Sequence, residues 1–381
     1  MAITFPTGAS VGQIYSEGDS SWSYNGSAWQ KAPKGENFLS DSAPSSPFVG
    51  QVWVDTATGQ IYYYTPDNKW AQIHSGGVGT GIISTNISEA MALGGGTVPT
   101  RNEVEKIAFA SNTTGTSHGN LSTDRVGGVA GSDGSQTMIL WGTDGTSENT
   151  GIEMKQFASD AISTTVGTAD SNYIRTGAAG DSNTESLIAT GGQLGGSSST
   201  DCFRYSFATA AEYTHGDLYQ ARRHHAATAN SSDLFMNSGL GATGSAALQS
   251  VEIMQIVANT ISHTVNTLNP AVGQQPALCN NGSHVLTVGG LTSTSPESIS
   301  NWQKTSFGNP VDYTSWGSLQ FSRYNIEATA DMNEAMIAGG NNQSGTVYAN
   351  VEKQSFLDNS QAVTHGALSV VRNNHNLTAG G

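Results

Sequence analysis

The sequence predicts an all-β protein: a six-bladed β-propeller preceded by small β-hairpin modules. Three observations carry this. Helical periodicity is almost absent from the 381 residues, and short alternating runs bounded by Gly, Asn, Asp and Ser replace it, as in Val351-Glu352-Lys353-Gln354-Ser355-Phe356. One pattern of ~50 residues recurs six times. The two ends of that array are complementary, so the last strand can complete the first blade.

Composition narrows the classes. At roughly 100–200 residues per domain the length allows two or three domains, or one repeat domain with an appendage. Charged residues make up 12%, about half the usual ~25%. Ser, Thr, Asn and 46 Gly replace them, which gives a neutral, polar surface. A net charge of −15 argues against nucleic acid or an anionic membrane surface as partner. No stretch approaches 18 apolar residues, so no membrane-inserted helix is expected. The start Met1-Ala2-Ile3-Thr4-Phe5-Pro6 lacks a basic region and a long apolar run, so no signal peptide is expected. Cys202 and Cys279 make no disulfide framework and are expected as two buried thiols.

The first elements lie in residues 1–75. One copy of a short pattern reads Phe5-Pro6, Val11-Gly12-Gln13-Ile14-Tyr15, then Trp22-Ser23-Tyr24-Asn25-Gly26-Ser27-Ala28-Trp29. The other reads Ser46-Pro47-Phe48-Val49-Gly50-Gln51-Val52-Trp53-Val54, then Ile61-Tyr62-Tyr63-Tyr64 and Asn68-Lys69-Trp70. Each predicts a hairpin or small three-stranded sheet with turns at Asn25-Gly26 and Thr58-Gly59. Residues 1–33 form a first module and 34–75 a second; Lys31 to Ser46 reads as a linker within this stretch. Residues 76–84, entered through Ser75-Gly76-Gly77-Val78-Gly79, read as a flexible joint to a propeller over 85–381. Such small units need a partner for their aromatic faces. Trp22, Tyr24, Trp29, Trp53, Tyr62, Tyr64 and Trp70 are the candidate docking residues, or else the mini-core of each module.

The repeat begins with an apolar run ending in a Gly pair. The pairs are Gly94-Gly95, Gly191-Gly192, Gly289-Gly290 and Gly339-Gly340, with degenerate copies at Ile139-Leu140-Trp141-Gly142-Thr143 and Leu234-Phe235-Met236-Asn237-Ser238-Gly239. The runs end at intervals of 48, 49, 47, 51 and 50 residues. An alternating strand with a central acid follows at Val104-Glu105, Ile152-Glu153, Val251-Glu252 and Val351-Glu352; Phe203-Arg204 and Ile299-Ser300 stand there in the third and fifth copies. Then come His118-Gly119, His215-Gly216, Trp316-Gly317 and His365-Gly366, with weaker versions near Val166 and His263. Arg125, Arg175, Arg222, Arg323 and Arg372 open the next strand, and the copy near Gln274 and Gln275 is degenerate. The first Gly-pair run has no Arg-led strand before it, and Asn374 to Ala379 has no Gly-pair run after it. Joining the two closes the ring without a free edge.

The short modules resemble those of structural proteins of tailed bacteriophages, especially marine, cyanophage-type ones, where Pro…Val-Gly-Gln…Tyr-Asn-Gly-Ser-x-Trp stretches recur. The ~50-residue unit is similar to the kelch-like repeat of the same class of virion proteins. The resemblance implies a non-enzymatic tail appendage or fibre component on the particle surface, assembled in the host cytoplasm. It would dock through the N-terminal modules and present the propeller to a host surface glycan or to other virion proteins, as a homo-oligomer. A capsid decoration (head fibre) protein and a glycan-active enzyme on a propeller are the alternatives.

Side-chain chemistry gives no competing signal. His118, His215 and His365 share one repeat position, which predicts a shared structural job such as bonding a loop carbonyl. His224-His225 is an adjacent pair on a strand, poor geometry for one metal. Glu105, Glu153, Glu252 and Glu352 recur in phase and are expected to bond the repeat Arg. Acids at Asp133-Gly134, Asp144-Gly145 and Asp181-Ser182-Asn183 read as turn formers, and no EF-hand pattern appears. No Gly-x-Ser-x-Gly elbow, phosphate-binding loop or zinc spacing is present. No cofactor, metal or catalytic residue is therefore expected.

Overall fold

The computed structural model describes residues 5, 8, 14–17, 20–24, 26–32, 38–40, 44, 51–55, 61–64, 70–72, 87–96, 100–169, 179–182, 186–194, 197–230, 233–242, 247–248, 250–256, 260–263, 272–292, 297–307 and 309–380. The chain divides into two units, Met1–Gly76 and Gly77–Gly381. Among the described residues there is no helix.

The first unit holds two sheets. Strands Ile14–Glu17, Ser20–Tyr24 and Trp29–Ala32 pair antiparallel in chain order. Alternation brings Tyr15 opposite Trp22, and Phe5 packs on Tyr15, Trp22 and Trp29 with ring centroids 5.3–5.6 Å apart. Gly26 supplies the positive φ of the turn (98°); Asn25 and Thr58-Gly59 lie outside the described residues. The second sheet joins Phe38–Ser40, Val52–Asp55, Ile61–Tyr64 and Trp70–Gln72, and its first pairing is parallel. The stretch read as a linker therefore contributes a strand. Phe38 and Leu39 are β-prone residues in register with Trp53 and Val54.

The second unit is a six-bladed β-propeller. Blade 1 pairs Glu89–Gly95 with Arg101–Ala108 and then Thr116–Asn120, and takes the C-terminal strand Asn376–Gly380 as its innermost member. The other innermost strands are Val129–Ser132, Ala179–Ser182, Ala226–Ala229, Ala277–Asn280 and Glu327–Ala330, in blades 2 to 6. Each lies beside the next, and the sixth lies beside the C-terminal strand, so the ring is closed. Blade 1 alone is assembled from both ends of the array, with Leu377 opposite Ala92 and Ala379 opposite Ala90.

Second strands are buried on both faces because each blade packs on two neighbours. Ala90–Leu93, Met138–Trp141, Leu187–Ala189 and Ala335–Ala338 are therefore continuous apolar runs. At the end of each second strand one residue turns left-handed. Gly94 has φ 60°, and a Cβ there would stand 2.7 Å from the Arg125 carbonyl oxygen. Blades 2 and 4 hold the same conformation without glycine, at Trp141 (φ 54°) and Ser238 (φ 61°). The degenerate second copy thus aligns on Trp141-Gly142, one residue before Thr143.

Register also corrects two positions of the central acid. Glu105, Glu153, Glu252 and Glu352 face Ala92, Ile139, Met236 and Ile337. The residue at that place is Phe203 in blade 3, opposite Ala189, and Gln303 in blade 5, opposite Thr287. Arg204 lies one residue later, and Ile299-Ser300 three or four residues earlier. The repeat Arg of blade 5 is replaced by Gly273, whose carbonyl accepts from Gly239 N–H at 3.0 Å.

Candidate functional site

The repeat charges are used between blades. Arg125 donates to Glu153 Oε1 at 2.7 Å and to the Trp141 carbonyl at 2.8 Å, while its own carbonyl accepts from Gly95 N–H at 2.7 Å. Its backbone is thus held by blade 1 and its guanidinium by blade 2. Arg222–Glu252, Arg323–Glu352 and Arg372–Glu105 repeat this across the 3/4, 5/6 and 6/1 seams. All eight side chains are at most 3% exposed. The glutamates also accept backbone N–H bonds from the preceding blade, at Ser122, Tyr219, Gln320 and Ser369. Burial lowers each arginine's pKa and the paired glutamate partly restores it. Burial raises Glu352, whereas Arg125 and the Ser163 hydroxyl outweigh burial and lower Glu153. Arg175 lies outside the described residues.

The histidines form a second set of seam bonds. His118 Nε2 meets the Gln156 carbonyl at 2.9 Å, His365 Nε2 the Ala108 carbonyl at 2.7 Å, and Trp316 Nε1 donates to the Ser355 carbonyl at 2.8 Å. Each joins an outer strand to the third strand of the following blade. His215 is buried with Nε2 unbonded, and burial and Arg204 lower its pKa to about 4. Cys202 and Cys279 are free, buried thiols, both raised by burial. Among the described residues no cluster of three metal-capable side chains occurs.

In the first unit, Trp22 and Trp53 are buried; Tyr24, Trp29 and Tyr64 are half-buried. Tyr62 and Trp70 lie on strands whose side chains there are outside the described residues.

The remaining open chemistry lies at one end of the channel. A cavity of about 690 Å³ is ringed by the residues that precede the innermost strands. Gly127, His224, Gln275, Asn325 and Asn374 all adopt positive φ, between 47° and 67°. Backbone bonds join this rim: Gly127 N–H to the Asn374 carbonyl (3.0 Å), Gln275 to His224 (2.8 Å) and Asn374 to Asn325 (3.3 Å). The loop Thr143–Glu148 walls one side; Asp144 caps it by accepting from Thr146 and Ser147 N–H, which lowers its own pKa. Below the rim Gly128, His225, Pro276 and Glu327 border both this cavity and a throat of about 110 Å³ between the innermost strands. Glu327 keeps some accessible surface there yet is encircled by protein atoms, and burial pushes its carboxyl up to about 8.

The seam residues were legible in the sequence, but the rim was missed. A signal existed. Gly127, His224, Asn325 and Asn374 each stand two residues after a repeat Arg, and Gln275 two after Gly273. Gly, Asn and His are the types that tolerate left-handed backbone.

Sheets arranged in a closed ring around a central channel define the class, a six-bladed β-propeller protein. Among solved structures the chain is similar to that of YjhT, with a TM-score of 0.56 at 11% identity over 68% of this chain and 88% of that one. That likeness concerns the fold. No protein-family pattern and no curated protein matches the chain.

Proposed function

We propose that this chain is a non-enzymatic structural and adhesive protein of a tailed-phage particle. Its N-terminal unit attaches to other virion proteins, and its kelch-like propeller presents loop faces to a host-surface glycan or a neighbouring subunit. The observation that carries this reading is the use of the repeat's ionic groups. Glu105, Glu153, Glu252 and Glu352 are each bonded to a buried arginine, so they are engaged in holding blades together rather than poised for acid–base chemistry. Charged residues make up only 12% of the chain, and its abundant Ser, Thr, Asn and Gly suit wet contacts with hydroxyl-rich surfaces. The division into two units supports separate attachment and presentation.

Deleting residues 1–75 tests the reading. The protein should vanish from purified particles while the purified propeller keeps its cooperative melting transition. Normal incorporation of the truncated chain would overturn it.

A further inference from the structure

We propose that the cavity at the channel mouth binds a neutral polyhydroxylated ligand, the terminal rings of a saccharide. This rests on the adhesive reading above and names its ligand and place. The volume of about 690 Å³ falls within the roughly 300–1,000 Å³ of small-molecule sites. The lining selects the chemistry. It offers the amides of Gln275, Asn325 and Asn374 and the hydroxyls of Thr146 and Ser147, groups that both donate and accept. A polyol's hydroxyls do the same. Among the described residues no lysine or arginine lines the cavity, and Glu148 stands at its edge, so these residues offer a phosphate, sulfate or carboxylate no counter-charge. Among the described residues the lining holds no Phe, Tyr, Trp, Leu or Met to anchor an apolar peptide.

The site is also built in advance. Asn325 is tied through its amide to Asn341, as is Asn373. Asn374 follows Asn373 and donates its backbone N–H to the Asn325 carbonyl; its side chain is half-exposed and, among the described residues, without a partner. The backbone bonds of the rim hold it in place, which lowers the ordering cost of binding. Glu327 lies at the floor with no hydrogen-bond partner among the described residues. Protonated at neutral pH, its carboxyl is a donor to a sugar oxygen. Among the described residues the other titratable groups facing the cavity are His224, His225, His375 and Glu148. Burial and neighbouring arginines keep His225 and His375 neutral above pH 6.5.

The test uses the full chain on an array of immobilised neutral glycans ending in glucose, galactose, mannose or N-acetylglucosamine, beside sialylated and sulfated ones. Binding to a subset of the neutral glycans is expected. Asn374→Gly keeps the left-handed backbone and should weaken that binding about tenfold, the worth of one or two hydrogen bonds, with an unchanged melting curve. Raising the pH from 7 to 9 should weaken the wild type, while Glu327→Gln, a permanent donor, should bind without that pH dependence. Absence of neutral-glycan binding, preference for the anionic glycans, or full binding by Asn374→Gly would overturn the proposal. If particles still adsorb to host cells while Asn374→Gly changes nothing, the cavity assignment fails and the adhesive reading stands.

Discussion

The seam between blades 6 and 1 and the seam between blades 4 and 5 join the same two structural positions by different chemistry. At 6/1, Arg372 pairs with Glu105, His365 bonds the Ala108 carbonyl and Lys353 donates to the Phe109 carbonyl at 2.6 Å. Thr113–Thr114 even adds a short parallel pairing with the outer strand of blade 6. At 4/5 the arginine is Gly273 and the acid is Gln303. The seam is held by Asn280 to Thr228 (2.6 Å), Asn237 to Thr287 (2.7 Å) and an edge-on contact of Phe235 with Phe307. Blade 5 has lost acid and base together, so no buried charge is left alone. The heavier fastening falls at blade 1, whose innermost strand is joined to its second strand by hydrogen bonds and packing alone. Losing that strand would expose a bare sheet edge.

Breaking one staple gives the largest expected effect. Arg372→Ala leaves the Glu105 carboxylate buried without its cation, and the Gly94 and Glu103 carbonyls lose a donor. It should cost roughly 3–5 kcal/mol in denaturant unfolding. Asn280→Ala at the 4/5 seam removes neutral bonds and should cost about 1–3 kcal/mol. Equal costs would erase the distinction between the seams. The double variant Arg372→Met with Glu105→Leu should recover most of the loss, because it removes both charges.

Acid should act on the histidine-bearing seams next. Burial, with Arg372 and Arg323 nearby, lowers His375 to about 3, and burial with Arg222 and His224 lowers His225 well below its ordinary value. Unfolded imidazole titrates near ~6.5. The unfolded chain therefore binds more protons between those values. The stability these groups contribute is complete above ~6.5 and is lost as pH falls toward their folded values. Hydrogen exchange, corrected for intrinsic rates, should show Asn376–Gly380 losing protection between pH 6.5 and 4 before His284–Val288 does. Simultaneous loss would assign the acid response to the whole ring.

Much of the fold was legible because it repeats. Six spaced Gly-pair runs and the complementary ends gave the blade count and closure, since a repeat needs its apolar face covered on both sides. The N-terminal strand Phe38–Ser40 was not legible: it pairs parallel through backbone bonds, which a Pro- and Ser-rich segment does not advertise. Nor were the shifts at Phe203 and Gln303, where a missing acid removes the marker that sets the alignment. The rim of the cavity escaped for a different reason. Its residues share a backbone conformation rather than a side-chain type, and a motif read from side chains passes over Gly127, His224 and Gln275 as unrelated.

The smallest expected effect sharpens the comparison by repairing a seam. His225 and His375 stand at the same place, each packed on the first glycine of the preceding blade's pair. His225 Nε2 meets the Thr190 hydroxyl at 2.9 Å. The residue before Gly339, in the place of Thr190, is Ala338, and both ring nitrogens of His375 are buried without a partner. A buried polar atom left unbonded is costly, and a net hydrogen bond is worth about 1 kcal/mol. Ala338→Thr should therefore raise unfolding stability by about that amount, and it should make His375→Phe, otherwise near neutral, destabilising by a similar amount. Threonine's branched side chain fits a strand, and Thr190 occupies the same fully buried place in blade 3. A loss of stability in Ala338→Thr would mean that close packing around Ala338, not the unmade bond, governs this seam.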